Sequence, residues 1–152
     1  MRQLTPNFHE REFACKDALR GKTSLPFCNG SVGKGISQEL VNGLQQVRDK
    51  VGKPILVTSG YRCPAYNASL SGAASQSKHM KGTAADIRVD GMTSEQLMKV
   101  VEELNLFTGR GLYPGQGFVH VDVRNGLHGS VTRWVKRINK PYQGVTSFKG
   151  LV

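Results

Sequence analysis

The sequence predicts an α+β fold in which a small antiparallel sheet carries the functional residues and helices flank it. Three observations predict it. Residues 37–51 and 93–104 place apolar side chains at helical spacing behind good capping residues. Residues 84–89 and 118–123 alternate, so that one face is apolar and the other carries His and Asp. A short apolar run over 54–59 reads as a further, buried strand.

Each element follows in chain order. Residues 1–35 are rich in Gly and Pro and read as irregular, with a short helix over 7–13 turning Phe8 and Phe13 inward. Ser37 caps the first long helix, Leu40, Leu44, Val47 and Val51 form its stripe, and Gly52 and Pro54 end it. Residues 60–83 follow the 54–59 strand as one long loop, a length that points to function. In the next strand Ala84, Asp86 and Arg88 share one face, and Ala85, Ile87 and Val89 the other. Thr93 and Gln96 form a capping box for a second helix with Leu97, Val100, Val101 and Leu104 inward. Residues 109–117 read as a turn region. The strand over 118–123 then puts Phe118, His120 and Asp122 opposite three valines. Trp134 is expected to anchor the last ordered segment as a core residue. The expected organisation is one domain over 1–152, with an ordered core over 5–138 and a basic tail over 139–152.

Composition narrows the function classes. A chain of 152 residues with 38% apolar residues suits one domain with a real core. No apolar run approaches the ~20 residues that span a bilayer. The first residues lack the apolar core of a signal peptide, so synthesis in the cytoplasm is expected. A substrate outside the membrane would then require release through a lesion or another export route. The net charge of +10 favours a polyanion: nucleic acid, an anionic membrane or an anionic wall polymer. The basic residues are scattered except for Arg133, Lys136, Arg137 and Lys140, and there is no base-stacking aromatic motif. Nucleic-acid binding is therefore not expected as the main function. A monomer is expected. The plain reading of Cys15, Cys28 and Cys63 is buried free thiols, with a Cys15–Cys28 bridge or a second, structural metal as alternatives.

The chemistry-bearing residues centre on His79 and Asp86, seven positions apart across Gly82, with His120 on the later strand. Two His and one Asp make three protein ligands, the set that a catalytic zinc site uses while leaving its fourth position open. The expected cofactor is Zn2+, with His79, Asp86 and His120 as ligands. Arg62, at the end of a strand, is a cation for an oxyanion or a substrate carboxylate. Ser77 and Tyr61 are candidate substrate hydrogen-bonding groups. Asp122 is either the general base or a partner that orients a ligand His.

The string Ser77-x-His79-x-x-Gly82-x-Ala84-x-Asp86 followed by His120 resembles the zinc D-alanyl-D-alanine carboxypeptidases and related phage and bacterial murein endopeptidases. Their fold is shared with the hedgehog signalling domain. Ser59-Gly60-Tyr61-Arg62-Cys63-Pro64 and Phe118-Val119-His120-Val121-Asp122-Val123-Arg124 fit as well, and the resemblance runs over residues 5–135. It implies a metallopeptidase acting on peptidoglycan peptides, with His79, Asp86 and His120 on zinc and Arg62 assisting the transition state. It also implies action on the cell wall after release, as a phage lysin acts. There is one departure: many members carry an acidic base three residues before the last His, where this chain has Gly117, and others a His two before, where it has Phe118. Asp122 is the expected substitute. The same departure motivates the alternative, a weak or inactive wall-binding module of this fold.

Overall fold

The computed structural model describes residues 1–17, 28–70 and 73–152; parts of the expected irregular N-terminal segment and of the 60–83 loop lie outside the described residues. The chain opens with a two-stranded antiparallel ribbon, β1 (Gln3–Thr5) and β2 (Phe8–His9). A 3-10 turn over Glu10–Phe13 follows, where His9 and Glu12 form a capping box. Phe8 and Phe13 are buried as expected, but on a strand and a tight turn and not on one α-helix.

Helix α1 (Gln38–Val51) starts where the Ser37 side chain accepts from the Leu40 N–H and stops at Gly52, which is left-handed. It buries Leu40, Val41, Leu44 and Val47. Strand β3 (Leu56–Ser59) leads into a region where the structure adds order. Pro64 opens a six-residue helix, α2 (Pro64–Ser69), and a 3-10 turn covers Lys78–Lys81. Neither was expected, because each is too short to show an apolar period. Strand β4 (Ala84–Arg88) and helix α3 (Ser94–Leu104) follow, the latter with the expected Thr93–Gln96 capping box.

Residues read as a turn region instead form β5 (Gly109–Tyr113), which pairs with β6 (Phe118–Asp122) as a hairpin. Its pattern was hidden because Gly109 and Gly111 stand on one face and a charged residue, Arg110, on the other. Gly109 is needed: a Cβ there would lie 2.1 Å from the Asp122 carboxylate. Arg110 is buried with its charge satisfied by Glu102, the Phe107 carbonyl at 2.7 Å and Asn105 at 2.7 Å, so it ties β5 to the end of α3.

Strand β7 (Thr132–Val135) lies parallel to β5, and β8 (Gln143–Val145) lies antiparallel to β7. The six-stranded sheet has the order β3-β4-β6-β5-β7-β8, antiparallel at every pair except β5 with β7. The expected basic tail is therefore corrected. Backbone pairing with β7 holds residues 143–145, and Phe148 is buried in the main core. A three-residue strand centred on a glycine leaves too little pattern to read. Ala85, Ile87, Val119, Val121 and Leu112 meet α1 and α3 on the apolar side of the sheet. The opposite side carries the site.

Candidate metal centre

The strand register builds most of the site. Asp86 on β4 stands opposite His120 on β6, which stands opposite Gly111 on β5, which stands opposite Trp134 on β7. One row of the sheet thus presents a carboxylate, an imidazole, a gap and an indole. The next row places Asp122 between Ala84 and Gly109. His79 arrives from the 3-10 turn, whose first turn is capped by Ser77 Oγ. That turn ends at Gly82, which is left-handed (φ 70°); a Cβ there would lie 2.4 Å from the Gly35 carbonyl. Only glycine meets both demands.

Three acceptor atoms converge. His79 Nδ1 lies 2.7 Å from the Gly60 carbonyl, which can only accept, so Nδ1 carries the proton and Nε2 keeps its lone pair. His120 Nε2 lies 2.7 Å from Asp122 Oδ2, which leaves its Nδ1 facing inward. His79 Nε2 and His120 Nδ1 stand 3.3 Å and 3.2 Å from the same Asp86 oxygen, Oδ1. The three donor atoms of His79, Asp86 and His120 all lie within 4.8 Å of one another. Lone pairs aimed at one another across such distances call for a cation between them, and two imidazoles with a carboxylate suit zinc. The residues present therefore fit the metal that the sequence implies.

The electrostatics differ among the three groups. Burial pushes the His79 pKa down and outweighs the pull of Asp86, so this imidazole is neutral, the form that ligates metal. Burial opposes charge on His120, but hydrogen bonds to Asp122 and Asp86 outweigh it and raise its pKa. Burial would raise the Asp86 carboxyl, yet the charge and hydrogen bonds of His79 and His120 hold it well below the usual range.

The site opens on a cleft of about 750 Å³. Arg62, Ser77, His79, Asp86, His120 and Trp134 line it. Arg62 is fastened by Nε to Ser59 Oγ at 3.0 Å and by Nη1 to Asn67 Oδ1 at 3.4 Å, and its Nη2 reaches Asp86 Oδ2 at 3.2 Å. Tyr113, Phe118 and Tyr142 supply further aromatic wall, and Lys78, Arg124 and Lys136 supply cations. Asp86 is the sole carboxylate among the described residues that line the cleft.

Residues 7–122, more than half of the chain, match the model of a family described as Peptidase M15. The chain belongs to the peptidase M15 family. Curated relatives include the protein named peptidoglycan L,D-endopeptidase MepK of Escherichia coli strain K12 and that of Shigella flexneri. Each is 32% identical over 101 residues, which is 62% of this chain and 55% of the relative. This M15 chain thus spans about half the length of the curated relatives it matches.

Two of the expected site residues stand elsewhere in this M15 chain. Asp122 is 0% exposed and does not line the cleft. Its two oxygens are taken by His120 Nε2 and by a bidentate contact from Arg124, at 3.0 Å to Nε and 2.8 Å to Nη2. Its enclosure and its bond to His120 are the geometry of a group that orients a ligand, and no part of it reaches the cleft. Tyr61 is not in the cleft either. Its ring lies against Gly33, and burial, together with the nearby Cys28, Cys63 and Cys15, raises its pKa. Strand alternation could not reveal this, because Tyr61 stands beyond the last paired residue of β3.

Sequence reasoning also missed groups. Trp134, expected in the core, lines the cleft with its ring centroid 4.9 Å from that of His120. Arg124 stacks over that indole at 5.1 Å. The Gly60 carbonyl and the Asn67 side chain orient His79 and Arg62, and a backbone oxygen carries no signature in a sequence. His9 and His128 stay outside the cleft.

Proposed function

We propose that this chain is a zinc metallopeptidase that hydrolyses peptide bonds in peptidoglycan. The observation that carries this reading is the convergence of His79 Nε2, His120 Nδ1 and Asp86 Oδ1 at the floor of an open cleft. In this reading His79, Asp86 and His120 hold the ion. The chemistry that zinc supplies when bound is polarisation of the scissile carbonyl and acidification of water.

The chain's own residues do the rest. The Gly60 carbonyl and Asp122 fix the two imidazoles in the tautomers that ligation needs. Arg62, held by Ser59 and Asn67, presents a cation beside the reacting centre, where it stabilises negative charge that develops on the substrate oxygen. Burial keeps the Tyr113 hydroxyl protonated, and it faces the cleft as a donor. Ser77 lines the cleft and could accept from or donate to the peptide. Lys78, Arg124 and Lys136 suit the free carboxylates of stem peptides, and the cleft holds one acid to oppose them.

The match to proteins named L,D-endopeptidases makes an L,D bond within the wall peptides the first bond to test. A wall-binding module without activity is not favoured, because the chain belongs to a peptidase family and matches relatives named as endopeptidases. The net charge of +10 would help the enzyme hold an anionic wall polymer. Among the described residues no helix is long and apolar enough to cross a membrane.

The test is digestion of purified peptidoglycan, with mass spectrometry of the released muropeptides. Release of new amine termini, abolished by a chelator and restored by zinc, is expected. If His79→Ala leaves both metal content and release unchanged, the assignment is wrong.

A further inference from the structure

A second group of metal-ligating side chains lies away from the cleft. Cys15, Asp17, Cys28 and Cys63 each offer one atom, and these four atoms lie within 4.8 Å of one another. They come from three stretches of chain: the segment after the first 3-10 turn, the start of the 28–37 loop, and the residue that precedes α2. Cys15, Asp17 and Cys63 are buried, Cys28 partly so, and all three thiols are free.

The Cys15 sulfur and the Asp17 carboxylate meet backbone N–H groups as well as the other thiols. The Cys15 sulfur receives the backbone N–H of Cys63 at 3.4 Å. The Asp17 oxygens accept from Asn29 N at 2.8 Å and Gly30 N at 2.9 Å, and each keeps a second lone pair. A buried carboxylate among three thiols is costly unless it is paired, and a bound cation would pair it. A disulfide would use two sulfurs and leave the third outside it.

We propose that Cys15, Asp17, Cys28 and Cys63 hold a structural zinc ion, separate from the cleft site. Three sulfurs and one oxygen complete a tetrahedral set with no open position, which is the pattern of a structural site. On binding, the three thiols give up their protons to solvent and Asp17 is already ionised, so the divalent ion and its four anionic ligands carry a net charge of −2. The converging N–H groups offset that charge. The ion would clamp the N-terminal segment to the loop that serves the cleft. Tyr61 N already donates to the Phe13 carbonyl at 2.8 Å, and Arg62 N to the His79 carbonyl at 3.1 Å. The inference stands apart from the reading of the cleft.

The experiment uses the full chain purified anaerobically without chelator, with cobalt(II) as the probe. Wild-type protein should bind a second metal equivalent and show thiolate-to-cobalt charge-transfer absorption, and its thiols should resist a thiol reagent until a strong chelator is added. Cys28→Ser should lose that absorption and one equivalent. His79→Ala should lose the other equivalent and keep the absorption, which separates failure at one site from failure at the other. A wild-type cobalt protein without charge-transfer absorption, or a disulfide among these cysteines in anaerobically prepared protein, would overturn the proposal. The wild-type spectrum decides the matter even if Cys28→Ser does not fold.

Discussion

The two donor clusters of this molecule differ in hardness, in enclosure and in how the chain delivers them. His79, Asp86 and His120 offer two nitrogens and one oxygen at the floor of a cleft, and two of the three stand opposite each other on neighbouring strands. Cys15, Asp17, Cys28 and Cys63 offer three sulfurs and one oxygen, gathered from loops and largely enclosed. Three donors on an open wall leave room for a substrate; four donors behind the wall leave none. The loop 59–63 runs between them. Ser59 and Gly60 hold Arg62 and His79 on one side, and Cys63 faces the other cluster. The lesson is that donor count and exposure, more than donor type alone, set the two clusters apart.

The most severe way to break this contrast is His79→Ala. It should abolish muropeptide release and remove one metal equivalent while the thiol cluster keeps its own, as elemental analysis and cobalt spectra would read. Next comes Asp122→Asn. A partner that orients a ligand His costs about 10–100-fold in metal affinity or activity when mutated. Added zinc should recover much of that loss; a base role would leave activity absent at any zinc concentration. Asp122→Ala, which leaves the buried His120 Nε2 without its acceptor, should also destabilise the fold by about 1–3 kcal/mol in urea titrations.

Cys28→Ser should act differently. Its expected signature is a lower Tm and a several-fold loss of activity, because Arg62 and Gly60 lose their backing, with the cleft metal still bound. Unchanged Tm in the presence of zinc would count against the clamp. The smallest effect sharpens the contrast through pH. Burial pushes the Cys28 thiol up to about 12 and raises Cys15, so a metal must displace their protons. Affinity at the thiol cluster should therefore keep rising with pH, by about tenfold per unit for each proton displaced. In the cleft, His79 is already neutral and Asp86 already ionised, so only His120, whose pKa is raised, has a proton to lose. Affinity there should rise and then level off once His120 is neutral. Competition titrations with a chromophoric chelator between about pH 6 and 9, where the reference His and Cys groups titrate, would separate the two curves.

Much of this was legible in the chain. Strict alternation placed His120 and Asp122 opposite Val119 and Val121, and the valines are indeed buried with α1 and α3. The caps at Ser37 and Thr93 marked both long helices because a cap is a local event, decided within three residues. Helix α2, strand β5 and strand β8 were not legible. The first and last are too short to show a period, and β5 replaces apolar side chains with glycines to admit Asp122 and Trp134 from its neighbours.

By itself the sequence determined the donor types, their order along the chain and the face of the strand that carries them, since those depend on residues a few positions apart. Tertiary structure alone decided that Asp122 is sealed beneath Gly109 and Arg124, that Tyr61 turns away and Trp134 turns in, and that three distant cysteines meet Asp17. Those outcomes rest on strand register and on which loop packs behind which. Both are long-range choices, set by the pairing of β4, β5, β6 and β7, and no local pattern encodes them.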